Sequence, residues 1–228
     1  MNLLSGLIDL FFPETCINCN TSLVTGEKII CTFCEVSLPI TDFNYIKDNK
    51  IVKSLWGRVN IDFATAFLYF KKGGIAQNIL HFLKYKNRKE IGEYFGKKLA
   101  YTIKDNDFIK NTDFLIPIPL HKSKQIERGY NQSLEICKGL SEILNIPILD
   151  NNLVRISKTL TQTRKKRFER WKNVSKNFDL KNSTLLEGKC VLLVDDVCTT
   201  GATIEACCEP FVGINNLKIG VAVLAVAS

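Results

Sequence analysis

Two adjacent carboxylates followed by a run of hydroxyl side chains lie near the C-terminus of this 228-residue chain. Asp195 and Asp196 follow four apolar residues ending at Val194, a pattern typical of a strand buried on both faces of a parallel sheet. The next residues form a small turn that leads into a helical pattern over Ile204–Phe211: Thr199, Thr200, Gly201, Ala202 and Thr203. Carboxylates accept hydrogen bonds from vicinal hydroxyls, and N–H groups at a helix start bind phosphate. The pattern predicts a sugar-phosphate site, and the alternative is an α/β turn with acidic caps and no ligand.

Four cysteines near the N-terminus form two Cys-x-x-Cys pairs, Cys16 with Cys19 and Cys31 with Cys34. Zinc prefers four thiolates in a tetrahedron, and paired knuckles supply that arrangement. Because four protein ligands leave no open coordination position, we expect a structural Zn²⁺ site. Redox-active or incidental cysteines are the alternative. The other cysteines are expected to fill core or helix positions: Cys137, Cys190, Cys198, Cys207 and Cys208.

Positive charge is concentrated in one segment. The chain carries a net charge of +8, and Arg155–Lys176 holds nine Lys or Arg residues against the single Glu169. Aromatic side chains interleaved with these cations favour single-stranded nucleic acid, whereas a solvated charged helix with its aromatics in the core is the alternative. The candidate nucleic-acid-binding residues are Arg164, Lys165, Lys166, Arg167, Phe168, Arg170, Trp171 and Lys172.

The apolar segments favour a cytoplasmic protein without membrane insertion. Ile219–Ala227, the longest apolar run, is too short to span a bilayer, and the first residues lack the basic region and cleavage site of a signal peptide. Apolar residues ahead of the cysteines recur at approximately helical spacing and are expected to pack the cysteine module onto the rest of the chain. They are Leu3, Leu4, Leu7, Ile8, Leu10 and Phe11.

Strand and helix patterns alternate along the remaining chain. Strands are expected at Arg58–Phe70, Asp113–Pro117, from Leu153 onward and at Lys218–Val226, and helices within Ala76–Ile103, which divides near Asn87, and at Gln132–Leu144. This order predicts an α/β fold with a mainly parallel sheet flanked by helices, whose ligands bind at the carboxyl ends of the strands. We expect two domains, residues 1–45 with the N-terminal helix and zinc knuckle, and residues 46–228.

The stretch Val191–Thr203 resembles the 5-phosphoribosyl-1-pyrophosphate (PRPP) binding motif of type I phosphoribosyltransferases. This resemblance implies a type I phosphoribosyltransferase-like domain. It also implies that Asp195 and Asp196 hold the ribose 2′- and 3′-hydroxyls and that the turn at 199–203 holds the 5′-phosphate.

Further blocks resemble the ComF/GntX family, whose members join a four-cysteine zinc finger to a phosphoribosyltransferase-type domain. These blocks are His81-x-Leu83-Lys84-Tyr85, Pro117–His121 continuing to Arg128–Gln132, and Thr159-x-x-Gln162 with Arg170-x-x-Asn173-Val174 and Phe178. The resemblance runs from about Leu3 to the C-terminus and implies a role in natural competence, the cytoplasmic handling of incoming single-stranded DNA. Ser123, Lys124 and Lys165 depart from the family pattern, on the pyrophosphate side of the expected pocket.

The resemblance also implies a mechanism. PRPP would bind with Mg²⁺, and the expected catalytic residues are Lys84, Arg128, Asp195 and Asp196, with Asn131 and Gln132 near the pocket. His121 is expected to cap a turn, and His81 to be a partly buried helix residue. Turnover stays open. An active phosphoribosyltransferase of nucleotide or amine metabolism, and a noncatalytic PRPP sensor or zinc scaffold, are the alternatives. Single-stranded DNA and competence proteins are candidate partners.

Overall fold

A computed structural model of the protein describes residues 13–156 and 177–227. The expected N-terminal helix (Leu3–Phe11) and the candidate nucleic-acid-binding residues (Arg164–Lys172) therefore lie outside the described residues. Within the described ranges, the strands are β1 (Phe63–Phe70), β2 (Phe114–Pro117), β3 (Leu153–Arg155), β4 (Phe178–Leu180), β5 (Cys190–Cys198) and β6 (Lys218–Ala227). The helices of the same ranges are α1 (Thr32–Val36), α2 (Lys50–Leu55), α3 (Ile75–Tyr85), α4 (Lys89–Ile103), α5 (Asp107–Lys110), α6 (Lys122–Arg128), α7 (Gln132–Leu144) and α8 (Ala202–Cys208). Short 3₁₀ turns occupy Phe43–Tyr45, Thr184–Leu186 and Glu209–Phe211.

The central sheet is parallel and has the strand order β1-β6-β5-β2. The predicted α/β fold, a mainly parallel sheet flanked by helices, is confirmed. The apolar runs of both inner strands, residues 191–194 of β5 and 219–226 of β6, are buried on both faces of the sheet. Because parallel strands end at the same edge, this arrangement collects the carboxyl ends of all four strands on one side of the molecule.

Helices cover both faces of the sheet. On one face, α3, α4 and α7 form a helical layer that packs against Leu192 and Val194 of β5. This layer contributes Ile79, Phe95 and Leu140 to the core. The alternate residues of β5 face α2 and α8 on the other side, where Ile51, Leu55, Ile204 and Phe211 pack on Val191 and Leu193. The period-two alternation of strand side chains thus divides the apolar residues into two cores.

The predicted elements agree with the structure where the sequence pattern is local and strong. Helix α7 occupies the predicted residues, and α3 and α4 meet around Asn87, whose φ of 50° ends the first helix. β1 starts at Phe63 instead of the predicted Arg58, because the N–H groups of Arg58 and Val59 bond to the Leu55 carbonyl in a turn that ends α2. Helices α1, α2, α5 and α6 and strand β4 were not predicted.

Three further expectations are corrected at the C-terminal half. The acidic pair lies within β5 and not beyond its end, because the ladder with β6 continues to Cys198. Helix α8 begins at Ala202 instead of Ile204, and at Glu209 the chain changes to a 3₁₀ turn that contains Pro210. β3 pairs antiparallel with β4 in a separate two-stranded sheet and does not extend the parallel sheet.

The cysteine module packs against the α3/α4 face of the sheet. Cys16 and Ile30 are buried in the same core cluster as Leu68 and Ile79. The chain then runs along the outer edge of β1, where the Thr41 N–H bonds to the Phe67 carbonyl at 2.9 Å. This segment covers an edge of the sheet that would otherwise expose unpaired backbone groups. Over the residues described, none of the helices has the length and apolar character needed to cross a membrane.

Candidate functional site

The acidic pair lies at the carboxyl edge of the sheet between α3 and α7. Asp195 Oδ1 accepts a hydrogen bond from Ser133 Oγ at 3.0 Å and from the Asp196 N–H at 2.8 Å. Lys84 Nζ of α3 lies 3.1 Å from Asp196 Oδ1, and this ion pair is largely buried. Two carboxyl groups thus share one close cation, which leaves acceptor capacity for hydroxyl groups of a ligand.

Electrostatics at the pair favours a bound proton. Desolvation raises the pKa of Asp195 to about 7, and the negative charge of Asp196 adds to this rise. The hydrogen bonds from the Asp196 N–H and Ser133, and the charge of Lys84, act in the opposite direction. A desolvated carboxyl beside a like charge costs folding free energy. Proteins therefore carry this arrangement mainly where function requires it.

The turn after β5 exposes its polar residues beside the acidic pair. Thr199, Thr200, Ala202 and Thr203 are exposed, whereas Gly201 is buried and left-handed, with φ at 77°. A Cβ atom at Gly201 would lie 2.9 Å from Leu55 Cδ2, so both backbone conformation and space favour glycine there. The turn therefore presents exposed threonine residues to solvent at the same edge as the carboxylates.

Arg128 and the residues after it form a partly buried cluster at the start of α7. The Arg128 guanidinium lies 5.6 Å from the Tyr85 ring centre, and NH1 donates to Gln132 Oε1 at 2.9 Å. Its buried Nε has no hydrogen-bond partner among the residues that the structure describes. Gln132 is fully buried, and Asn131 caps α7 while its amide donates to the Ile118 carbonyl at 3.1 Å. In this structure Asn131 and Gln132 make contacts that hold the backbone, and Ser133 beside them reaches the acidic pair.

The two histidines differ in their surroundings. His121 caps α6, as expected, and its Nδ1 accepts the Ser123 N–H at 3.3 Å. His81 lies on α3 and is exposed, in contrast to the partly buried position expected from the sequence, because it lies on the solvent side of that helix with Tyr85.

Two residues at this edge were missed by the sequence reasoning. Ser133 directly follows the Asn131-Gln132 block, so its position in the motif was a usable signal. Arg58 had none, because its hydrogen bond to the Thr200 carbonyl, at 3.2 Å, joins residues 142 positions apart. Arg58 also forms an ion pair with Glu205 of α8.

The four N-terminal cysteines come together as predicted. Their Sγ atoms all lie within 4.8 Å of one another, with Cys19 and Cys31 at 3.6 Å. Sulfur atoms about 2.3 Å from a tetrahedral zinc ion would be separated by similar distances. Asn18 Nδ2 donates to Cys34 Sγ at 3.2 Å, a contact that orients one of the four sulfurs. This donor set can hold a structural metal ion. The five remaining cysteines are buried, as expected.

Comparison with known proteins agrees with this arrangement. Residues 131–227 match the phosphoribosyl transferase domain. Competence protein F of Haemophilus influenzae is 33% identical over 126 residues, which cover 54% of this chain and 55% of that protein. Competence protein ComFC of Bacillus subtilis is 37% identical over 111 residues, 49% of this chain and 41% of that protein.

A third relative, the DNA utilization protein YhgH of Escherichia coli O157:H7, is 29% identical over 129 residues, 55% of this chain and 56% of that protein. The chain spans about half the length of the curated relatives it matches. The matched domain, the four-cysteine cluster and the two competence relatives together support a ComF-family protein.

Proposed function

We propose that the protein binds PRPP, or a closely related pentose phosphate, with Mg²⁺ at the carboxyl edge of the sheet. The observation that carries this proposal is the position of Asp195 and Asp196 beside the exposed turn at 199–203. The carboxylates accept hydrogen bonds from the ribose hydroxyls, and N–H and hydroxyl groups of the turn bind the 5′-phosphate. Mg²⁺ bound mainly through phosphate oxygens and water needs no protein cage.

We further propose phosphoribosyl transfer as the reaction of this site. The C1–oxygen bond to pyrophosphate breaks through an oxocarbenium-like state, and the acceptor nucleophile takes C1 while pyrophosphate leaves with the bonding electrons. Lys84 is held at 3.1 Å from Asp196 and supplies positive charge at the edge where pyrophosphate departs. Arg128, whose buried Nε lacks a partner within residues 13–156 and 177–227, is the second candidate cation.

We propose Zn²⁺ as the ion of the four-cysteine cluster. Four cysteine sulfurs suit zinc, and their closed arrangement suits a structural role. Elemental analysis of the purified protein tests this, with one zinc per chain as the expected result. A folded protein free of metal would contradict it.

The biological setting that we propose is DNA uptake. Two relatives carry competence in their names and a third DNA utilization, and the basic segment at 155–176 has the composition of a single-strand binding surface. Affinity for a single-stranded oligonucleotide should fall steeply as salt is raised, because neutralised phosphates release counterions. Negligible affinity at low salt would contradict the DNA role and leave the sugar-phosphate site untouched.

Calorimetric titration with PRPP and Mg²⁺ tests the ligand directly. We expect saturable binding by the wild type and none by the double variant Asp195→Asn/Asp196→Asn. The matched control Asp105→Asn/Asp107→Asn removes two exposed carboxylates elsewhere and should bind as the wild type does. Equal affinity in both double variants would refute the pocket assignment. A screen of amine and base acceptors for pyrophosphate release then separates an enzyme from a sensor.

A further inference from the structure

One peptide group of the turn after β5 is held by Arg58. Arg58 NH1 donates to the Thr200 carbonyl at 3.2 Å and to the Ser54 carbonyl at 2.9 Å. The N–H of Gly201, on the other side of the same peptide, faces the Cys198 thiol and lowers the pKa of that thiol against the larger, opposite effect of burial. A planar trans peptide directs its oxygen and its hydrogen in opposite directions, so the Arg58 contact on the oxygen orients the whole Thr200–Gly201 peptide plane.

Helix α2 supports this turn and is itself fixed to the sheet. The side chain of Asn49 caps the helix and donates to the Ala64 carbonyl of β1 at 2.7 Å. Leu55, at the other end of α2, is fully buried and lies against Gly201. The path Asn49–α2–Arg58 therefore ties the turn to β1, on the far side of β6 from β5.

The guanidinium group suits this role because it holds several acceptors at once. Arg58 contacts the carbonyls of Ser54 and Thr200 and the carboxylate of Glu205. A lysine at this position would keep the charge but would lack the planar fork that spans these acceptors. The contact to Thr200 also turns that carbonyl oxygen toward Arg58, which keeps a negative dipole end away from an anion in the turn.

We propose that Arg58 is a positioning residue for a phosphomonoester bound in the turn at 199–203. By holding the Thr200 carbonyl, it orients the remaining N–H groups of the turn toward the phosphate before the ligand arrives. This inference rests on the proposed function and adds the residue that preorganises the phosphate subsite. It also predicts selectivity: Arg58 governs affinity for the 5′-phosphate of the sugar and not for pyrophosphate.

The test compares two probes, ribose 5-phosphate and inorganic pyrophosphate, by calorimetry. For Arg58→Gln we expect affinity for ribose 5-phosphate to fall about tenfold or more, since preorganisation is lost, and affinity for pyrophosphate to stay within about twofold. Arg58→Lys should recover only part of the loss. The control Lys53→Gln removes the same charge from exposed Lys53 of α2 and should leave both affinities unchanged.

Glu205→Gln separates the ion pair from the peptide contact. It keeps an uncharged acceptor for Arg58 and should change ribose 5-phosphate affinity by less than about twofold. A loss as large as that of Arg58→Gln would overturn the inference, as would full recovery in Arg58→Lys, because either result assigns the effect to charge alone.

Amide hydrogen exchange of the turn, measured without ligand, gives an independent readout. We expect Arg58→Gln to accelerate exchange in the peptide that spans 199–205, while Lys53→Gln leaves it unchanged. Unchanged exchange in Arg58→Gln would overturn the inference. If the wild type bound neither ribose 5-phosphate nor PRPP, the proposed function itself would fail, a result distinct from wild-type binding that Arg58→Gln does not weaken.

Discussion

Asp195 and Asp196 place two carboxyl groups side by side at a desolvated sheet edge, with Lys84 as their close cation. The arrangement suits a ligand that brings hydroxyl groups and a metal ion, and it costs stability when the ligand is absent. Ser133 lowers part of this cost by donating to Asp195. Substitution of single residues at the acidic pair should therefore change the stability of the folded protein, which can be measured without a ligand.

The first prediction concerns the pH dependence of stability. The pKa of Asp195 is raised from 3.8 to about 7, so the folded protein keeps a proton that the unfolded chain releases between these values. This contribution is complete below about pH 4 and is lost as the pH rises through 7. Asp195→Asn stays neutral and keeps an oxygen that can accept from Ser133. We expect it to melt a few °C above the wild type at pH 8, since about 1 kcal/mol shifts the Tm by about 2–4 °C in a chain of this size.

Thermal melts at several pH values check this prediction. The difference in melting temperature between Asp195→Asn and the wild type should become smaller as the pH falls toward 5. Asp179→Asn, which replaces an exposed carboxylate, serves as the control and should show little pH-dependent difference. A constant difference between pH 5 and 8 would show that Asp195 does not carry the shifted proton.

The second prediction concerns the ion pair of Lys84 with Asp196. The Lys84 and Asp196 side chains are 18% and 9% exposed, so removing the cation alone leaves a poorly solvated carboxylate. We expect Lys84→Met to lower the free energy of unfolding by about 1–3 kcal/mol. In an Asp196→Asn background, the same substitution should lower the free energy of unfolding by clearly less. Urea denaturation of the two single variants and the double variant measures this coupling, and strictly additive effects would argue against it.

At the scale of elements, the contact of α4 with α7 positions the start of α7 beside β5. Gly92 of α4 lies against Glu135 of α7 and Gly96 against Gly139, and the missing side chains let the two backbones approach closely. A Cβ atom at Gly139 would lie 2.1 Å from the Glu93 carbonyl oxygen. Because α7 carries Ser133 in its first turn, this close packing contributes to the geometry of the acidic pair.

The third prediction follows from that packing. Gly139→Ala should destabilise the protein by about 2 kcal/mol or more, although alanine is the better helix former, because the methyl group has no space. The control Gly74→Ala lies at the N-cap of α3, where a Cβ atom would be 3.2 Å from the Lys71 carbonyl oxygen, and should cost at most about 1 kcal/mol. Chemical denaturation of both variants measures these changes in the free energy of unfolding. Equally small decreases in the two variants would contradict the close packing of α4 on α7.

At the scale of the whole molecule, the cysteine module is part of the packing of the sheet. Its buried residues share a core cluster with β1 and α3, and Asn18 links the two parts by accepting a hydrogen bond from Asn78 of α3 at 3.0 Å. A metal that holds the four cysteines together would therefore also support α3, the helix that carries Lys84.

The fourth prediction is that metal loss lowers the melting temperature of the described fold by several °C. Cys34→Ala should lose the metal and show this decrease, because binding free energy contributes to folding free energy. Cys190→Ala removes a buried thiol outside the cluster and should retain one metal ion per chain. Elemental analysis with calorimetric melts checks both. If metal-free Cys34→Ala melted at the same temperature as the wild type, the metal-bound module would be dispensable for stability.

The sequence by itself determined the features that depend on neighbours along the chain. The apolar run of β5, the bounds of α7, the paired cysteines and the class of the fold could be predicted, because periodicity and spacing are local properties. The motif at 191–203 also identified the residues that lie together at the sheet edge.

Only the tertiary structure decided which distant residues contact them. Ser133 bonds to Asp195 across 62 positions and Arg58 to Thr200 across 142, and Lys84 pairs with Asp196 from a helix on the sheet's face. The separate β3–β4 pair likewise depended on strand pairing and register. Such contacts follow from strand order and helix packing, which bring remote segments together and leave no periodic signal in the sequence.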